Sequence, residues 1–261
     1  MSFFFNEIEL LKEYYMDMNE FEIFKSMINH SKNIVFFTGA GISVPSGIPD
    51  FRSADGLYNQ KSKYTYSPEE IVSHSYYMNH KEDFYEFYKT KMVYPNAKPN
   101  LAHKYIASLE KDKHVTVITQ NIDGLHQEAG SSNVIELHGS VKRNFCEKCR
   151  SFYDDKFIMA QNGVPKCPKC GHDIKPDVVL YEESLDEENI NNAITAIMKA
   201  DTLVVIGTSL VVYPAAGFIR YFKGNALICI NKTKTSYDSM CDLVINDDVI
   251  NVIKNIDEKG F

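Results

Sequence analysis

Short apolar runs without polar alternation recur along the chain. Runs of this kind predict strands that are buried on both faces. Segments with helical spacing lie between several of them, including 101–111 and 187–199, and residues 5–30 predict one or two amphipathic helices. The runs occupy residues 33–38, 115–119, 178–181, 203–206, 227–230 and 243–245. This alternation predicts an α/β fold, a parallel sheet with helices on both faces.

Two segments interrupt the alternation. Residues 58–97 are rich in Tyr, Lys, Glu and Phe and predict helices outside the sheet, and residues 141–175 hold two cysteine pairs between polar turns. We expect both to be insertions that together form a smaller domain. Residues 1–57, 98–140 and 176–261 would then form the sheet domain.

Composition and charge narrow the classes of function. The 261 residues carry a formal net charge of −7, whereas nucleic-acid binders usually present a basic face. No run approaches the roughly 20 apolar residues that span a bilayer. The first residues, MSFFFNEIEL, have neither a basic segment nor a small-residue cleavage site, so a secretory signal is not expected. These features predict a cytoplasmic protein that contacts neither membrane nor nucleic acid.

The spacing of four cysteines predicts a metal site. Two C-x2-C pairs separated by 17 residues are typical of structural zinc, because four thiolates close a tetrahedral coordination sphere. The predicted ligands are Cys146, Cys149, Cys167 and Cys170. His172 could compete as a ligand, although a bystander role is favoured. The distant Cys229 and Cys241 are interpreted as small core residues.

A glycine turn follows the first predicted strand. Gly39-Ala40-Gly41 could let backbone N–H groups approach a pyrophosphate, and a plain strand-to-helix turn is the alternative. The sixth position of the dinucleotide fingerprint is Val44, not Gly, which argues against an ordinary hydride-transfer dehydrogenase. The following prolines and Gly47 predict a long loop that could close over a cofactor.

Six blocks, in order, resemble the sirtuin family over residues ~33 to 250. They read GAGISVPSGIPDFR from Gly39, TQNIDGLH from Thr119, ELHG from Glu136, the two cysteine pairs, KPDVVLY from Lys175, and GTSL from Gly207 followed by Asn231. The resemblance is strongest to compact bacterial deacetylases. It implies a Rossmann-like NAD domain, a small domain of helices and a zinc ribbon, and a cleft between them where NAD and acyl-lysine meet.

The resemblance also assigns residues to the site. It implies His138 and Asn121 as catalytic residues, and Val179, Leu180, Tyr181 and Val211 as contacts of a substrate peptide that adds as a strand. Glu182 stands where many relatives have glycine. The implied NAD contacts are Ala40, Val44, Phe51, Arg52, Gln120, Asn121, Ile122, Asp123, His138, Gly207, Thr208, Ser209 and Asn231, with Asp248 and Val249 at the adenine edge.

His138 is the central catalytic candidate. A histidine titrates near neutrality and can take a proton from a ribose hydroxyl, although a lone histidine before a glycine is more often a packed turn residue. The family route implies attack of the acyl oxygen on the ribose carbon that bears nicotinamide. It continues with deprotonation of the ribose diol by His138, and water then releases lysine and O-acyl-ADP-ribose.

Several alternatives remain open. Sirtuins that remove succinyl groups carry Tyr-x-x-Arg in the helical insertion, whereas this chain has Tyr88 and Lys91 at the matching positions. A lysine lacks the planar, two-pronged guanidinium with which arginine binds a carboxylate, so an acetyl substrate is favoured over a succinyl one. Longer apolar acyl chains are left open. Mono-ADP-ribosyl transfer to protein and a non-catalytic NAD-sensing or zinc-ribbon module are the other two functions. Ser184 and Glu187 match a capping box, which predicts a helix start within 183–188.

Overall fold

A computed structural model of the chain describes residues 18–50 and 66–256. Phe51 and Arg52, two of the predicted NAD contacts, lie outside the described residues, as does most of the N-terminal segment. Within the described ranges, no helix is both long enough and apolar enough to cross a membrane.

Six parallel strands form the main sheet, in the order β3-β2-β1-β7-β8-β9. The sheet order reverses between β1 and β7, which is where doubly wound α/β proteins bind their ligands. The strands are β1 Asn33–Thr38, β2 His114–Thr119, β3 Val134–Glu136, β7 Thr202–Ile206, β8 Ala226–Ile230 and β9 Leu243–Ile245. The predicted fold class is therefore confirmed.

Helices cover one face of this sheet over a continuous apolar core. These helices are α1 Glu20–His30, α5 Leu101–Ser108 and α9 Val249–Ile256. Ile34 and Phe36 of β1 point into this core and are almost fully buried. An Asn19 capping box begins α1, since its side chain accepts from two backbone amides and Glu22 accepts from the Asn19 amide.

The opposite face carries a second core. Val35 and Phe37 point to this side because side chains alternate along a strand. Here α8 Glu187–Lys199 and the 3₁₀ helix Ala215–Tyr221 pack on the sheet. Burial on both faces explains why the sheet strands appear in the sequence as unbroken apolar runs.

A separate antiparallel sheet and several short helices surround a third core. The strands are β4 Gly139–Cys146, β5 Phe152–Tyr153 and β6 Ile174–Val178, in the order β5-β4-β6. The helices are α2 Pro68–Ile71, α3 His74–Asn79, α4 Lys81–Phe87 with a π-helical turn Tyr88–Met92, and α7 Asp155–Met159. Aromatic residues of the first insertion pack in this core against the cysteine-bearing segment. The remaining described α-helix is α6 Leu125–Glu128, which belongs to the domain of the main sheet, called the main domain below.

Three predictions of secondary structure were wrong in detail. The run 178–181 is not a strand of the main sheet: β6 ends at Val178 and alternates between buried and partly buried residues, as expected for an antiparallel strand. β3 was missed because it has only two consecutive apolar residues before Glu136, too few to stand out as an apolar run. Helix α8 begins within 183–188 as predicted, but its cap is Asp186, whose side chain accepts from the Asn189 amide at 2.8 Å, and not Ser184.

Cys229 and Cys241 are not two independent core thiols. The structure joins them as a disulfide between β8 and the loop before β9, with Cα atoms 6.3 Å apart. Their separation by 12 residues in a chain predicted to be cytoplasmic gave no signal of pairing.

Two buried histidines support the main domain beneath the glycine turn. His103 on α5 and His126 on α6 are almost fully buried, with ring centroids 4.8 Å apart. His126 Nε2 lies 3.0 Å from Thr38 Oγ1 at the end of β1. His103 Nε2 and His126 Nδ1 find no hydrogen-bond partner among the described residues. Burial lowers the pKa of His103 to about 4, and burial together with His103 lowers that of His126 well below its usual value.

We predict that acid destabilises the fold through this pair. The unfolded chain takes up a proton near pH 6.5 while folded His103 resists it down to about pH 4, so the free energy of unfolding should fall progressively from pH 6.5 downward. His103 alone should account for on the order of 3 kcal/mol across that window. Denaturant unfolding at several pH values measures the slope, which His103→Gln should flatten. The exposed His114→Gln is the control, and an unchanged slope in His103→Gln would contradict the prediction.

Candidate functional site

Two glycine turns meet where the sheet order reverses. The Gly41 N–H donates to the Gly207 carbonyl at 2.8 Å, so the turn after β1 packs directly on the turn after β7. A Cβ at Gly41 would lie 2.6 Å from the Gly207 Cα, and Gly207 has a φ of +62°. Both positions therefore require glycine, one for close approach and the other also for its left-handed backbone.

The glycine turns form one end of a cavity of about 950 Å³ between the two sheets. This volume is near the top of the range of roughly 300–1,000 Å³ that ligand sites occupy. Residues predicted from the sequence that line it are Ala40, Gln120, Asn121, Ile122, Asp123, His138, Val179, Leu180, Tyr181, Gly207, Thr208, Ser209 and Asn231. The fold thus brings together segments from most of the chain, including both domains.

Ser43 joins two of the predicted residues. Its hydroxyl donates to Asp123 Oδ2 at 2.7 Å and accepts from Asn121 Nδ2 at 3.0 Å. The Asn121 amide also donates to the Gly39 carbonyl at 3.1 Å, so the glycine turn holds this side chain. Burial raises the pKa of Asp123, against the lowering effect of bonds from Leu125 and Ser43. Sequence reasoning did not single out Ser43, although it lies inside the quoted glycine motif.

His138 lines the cavity with its ring fixed by the neighbouring segment. Its Nδ1 lies 2.8 Å from the Gln120 carbonyl, which can only accept, so Nδ1 carries the proton and Nε2 is left as a base. Burial lowers the pKa of His138, and the bond to Gln120 partly offsets this effect. The imidazole is therefore neutral at pH 7 and able to take up a proton.

Polar side chains beside the glycine turns suit a ligand rich in hydroxyl and phosphate groups. Gln120 Nε2 donates to Thr208 Oγ1 at 3.1 Å, which ties the strand end of β2 to the turn after β7. Asn231 follows β8 and donates from Nδ2 to the Thr233 carbonyl at 2.7 Å. With the bare glycine backbone at the cavity wall, this donor set fits a dinucleotide such as NAD.

Four predicted contacts are not among the described residues that line the cavity. Val44 belongs to a 3₁₀ turn beyond the glycine loop, and Val211 is exposed at the rim, where its neighbour Val212 lines the cavity instead. Asp248 pairs with Lys232 at 2.9 Å, and the Val249 side chain is buried in the core below α9. Asp248 and Val249 thus contact other parts of the described structure, and their assignment to the adenine edge stays a prediction.

The segment after β6 forms the opposite wall. The Val179 N–H donates to the His138 carbonyl at 3.0 Å, so this segment is attached to the candidate base. Tyr181 N–H donates to Val72 O, and His74 N–H donates to Tyr181 O, which fixes the segment to the helical insertion. Glu182 has a φ of +73°, a backbone shape that glycine adopts more easily, and its carboxylate accepts from Ser75.

The four cysteines of the small domain converge. Their sulfur atoms lie within 4.8 Å of one another, with Cys146 to Cys170 at 3.4 Å and Cys149 to Cys167 at 3.5 Å. A tetrahedron with Zn–S bonds of about 2.3 Å has edges near 3.8 Å, so the cluster suits one zinc ion. Tyr153 Oη lies 3.0 Å from the Cys167 sulfur and would orient that ligand. Four thiolates leave no position for a reacting water, so the ion is structural.

We expect Cys167→Ser to abolish stable zinc binding and unfold the small domain. Loss of a structural metal removes several kcal/mol of folding free energy, so the melting temperature should fall by roughly 10 °C. Elemental analysis should find about one zinc per wild-type chain and well below that in the variant. His172→Ala is the control, because the exposed His172 ring lies 3.1 Å from the Cys170 carbonyl and should not affect zinc content. Full zinc in Cys167→Ser would refute the assignment.

Known proteins match this combination of motifs and geometry. The sequence pattern of the Sir2 family matches residues 39–214. Two bacterial relatives named NAD-dependent protein deacetylase, from Clostridium perfringens and Clostridium tetani, are 59% and 56% identical, covering 89% and 91% of this chain and 96% and 97% of their own lengths. A solved structure described as Sir2-p53 peptide-NAD+ superposes with a TM-score of 0.78 at 37% identity, over 91% of this chain and 97% of that one. Because the family pattern and these relatives extend over most of its length, the chain belongs to the Sir2 family, the sirtuins.

Proposed function

We propose that this chain is an NAD-dependent protein deacetylase that transfers acetyl groups from lysine side chains to ADP-ribose and releases nicotinamide. The observation that carries the proposal is the neutral His138 in the lining of a cavity that extends from the glycine turns to the segment Val179–Tyr181. When bound, NAD supplies an electrophilic ribose carbon with nicotinamide as its leaving group. The relatives named NAD-dependent protein deacetylase support the same activity.

His138 serves as the general base. Because its Nδ1 proton is held by the Gln120 carbonyl, the Nε2 lone pair is available to accept a proton from a ribose hydroxyl. Its lowered pKa keeps the ring unprotonated at cellular pH. The same bond to Gln120 supports the charged ring once the proton has arrived, in the manner of an orienting partner.

Asn121 and Asp123 act on the nicotinamide side. Ser43 bridges them at 3.0 and 2.7 Å, so their side chains are positioned before any ligand arrives. The Asp123 carboxyl is partly buried in the cavity lining and can hold a carboxamide, turning the nicotinamide ring away from the ribose. Preorganisation of this kind lowers the barrier without further movement of the protein.

Residues Val179, Leu180 and Tyr181 provide the peptide side. Val179 and Leu180 line the cavity beside His138, and Tyr181 is 39% exposed at its mouth. A substrate backbone could pair along this segment as an added strand, with the acyl-lysine entering the cavity. We propose that the partners are acetyl-lysine proteins and that the enzyme works in the cytoplasm.

We predict that His138→Ala abolishes turnover while leaving the fold intact. Loss of a general base typically lowers rates by about 10²–10⁴-fold. The assay is mass spectrometry of a reaction with NAD and an acetyl-lysine peptide, in which wild type should yield nicotinamide, free lysine peptide and O-acetyl-ADP-ribose together. His114→Ala, far from the cavity, should retain wild-type rates. An untouched peptide with ADP-ribose attached to protein would instead establish ADP-ribosyl transfer.

We also expect acetyl to be removed in preference to succinyl. Tyr88 is 1% exposed and stacks on Phe84 at 5.9 Å between ring centroids, inside the small-domain core, so its hydroxyl cannot pair with an acyl carboxylate. An unpaired carboxylate in the cavity should lower kcat/KM by about 10–100-fold. Matched acetyl and succinyl peptides measure this ratio. Lys91 lines the cavity, and Lys91→Gln should not selectively impair succinyl turnover; a selective loss would show that Lys91 reads that charge.

A further inference from the structure

His138 lies in a short connection between the two sheets. β3 ends at Glu136 and β4 begins at Gly139, so only Leu137 and His138 separate the main domain from the small one. A Cβ at Gly139 would lie 1.9 Å from the Asp177 carbonyl, which shows how closely the connection packs on β6. The position of the imidazole therefore depends on how β4 and β6 are held against the end of β3.

Arg143 bridges the two sides of this connection. Its Nη1 donates to Glu136 Oε2 at 2.5 Å, and its Nε donates to Asp177 Oδ2 at 2.7 Å. Glu136 lies two residues before His138, and Asp177 lies two residues before Val179, whose amide donates to the His138 carbonyl. The Arg143 guanidinium thus connects the segment that precedes His138 to the segment that precedes Val179–Tyr181.

A bulge in β4 places Arg143 at this point. Ser140 pairs with Asp177, but the next pair is Asn144 with Pro176, so residues 141–143 have no partners in the ladder. Pro176 has no N–H to donate, which prevents a regular ladder here. Val141 in the bulge instead donates to the Ile122 carbonyl at 2.9 Å, which connects the bulge to the segment carrying Asn121 and Asp123.

The chemistry of the bridge requires an arginine. The Glu136 side chain is 8% exposed, and a buried carboxylate without a partner carries a large desolvation penalty. A guanidinium can satisfy two carboxylates through different nitrogen atoms in fixed directions, whereas a lysine ammonium is a point charge on a flexible stem. Arg143 is not among the described residues that line the cavity, so it acts only through its neighbours.

We infer that Arg143 is a positioning residue that holds His138 and the segment Val179–Tyr181 in one geometry by bridging Glu136 and Asp177. This inference rests on the proposed deacetylase function. Arg143 makes no contact with the reacting groups in this role, and its removal should disturb their alignment rather than the affinity for NAD.

The first test separates kcat from KM. Arg143→Gln should lower kcat by about 10–100-fold, because misplacing a catalytic group by about 1 Å costs about that much, with KM for NAD changed by less than about threefold. Arg143→Lys should recover part of kcat, since it can pair with one carboxylate at a time. A kcat of Arg143→Gln within twofold of wild type, or an effect confined to KM, would overturn the inference.

A double-mutant cycle tests the partner. Glu136→Gln should lower kcat like Arg143→Gln, and the double variant should be little worse than either single one, because all three lose the same bridge. Fully additive losses would show that the residues act separately. Lys81→Gln is the matched control: Lys81 also bridges two carboxylates, Glu147 and Asp173, at 3.0 and 2.7 Å, elsewhere in the small domain. An equal loss of kcat in Lys81→Gln would mean that Arg143 contributes only general stability.

Hydrogen exchange of the ligand-free protein supplies a readout without catalysis. In Arg143→Gln, deuterium uptake should rise in peptides covering 136–143 and 177–181 and stay unchanged in α8. Unchanged uptake in the first two peptides would overturn the inference even if kcat fell. If wild type proved unable to deacetylate, the proposed function would fail, while the exchange experiment would still decide whether Arg143 holds these two segments together.

Discussion

The contact between two glycine turns organises the rest of the structure. Gly41 donates to the Gly207 carbonyl at 2.8 Å where β1 and β7 lie side by side and the sheet order reverses. Parallel strands direct their carboxyl ends to one edge, so the turns after β1, β2, β7 and β8 all open on the same side. Because neither turn carries a side chain at the contact, backbone forms one wall of the cavity, and the polar residues after the neighbouring strands surround it.

The second domain completes the site from the other side. Its cysteine-bearing part leaves the main sheet at Glu136 and returns along β6, so the connections at the two ends of that part, through His138 and Val179, meet at the cavity. The aromatic core and the cysteine cluster of this domain support these connections. The chain is a sirtuin and an NAD-dependent protein deacetylase, and its proposed base, His138, lies between the end of the main sheet and the proposed peptide wall.

The pKa values of the ionisable side chains at and near this boundary depend more on burial than on neighbouring charges. His138 stays neutral because its ring is desolvated, and burial raises the pKa of Asp123 although two bonds favour its charged form. His103 and His126 remain neutral for the same reason. Removal from water therefore keeps the proposed base, His138, unprotonated and also makes the surrounding fold sensitive to acid.

Sequence patterns alone were sufficient to predict the fold class, the cysteine cluster and most cavity residues. These features depend on local patterns: unbroken apolar runs, paired C-x2-C knuckles, and motifs whose residues lie next to one another along the chain. Which strands share a sheet could be read only from the folded chain, since the run 178–181 is as apolar as a main-sheet strand but has different neighbours. The tertiary structure also excluded Val44, Asp248 and Val249 from the cavity lining, paired Cys229 with Cys241, and brought Ser43 and Arg143 to their partners. Those contacts join residues that are far apart in the sequence, and a local sequence pattern carries no information about the distance between such residues in the folded protein.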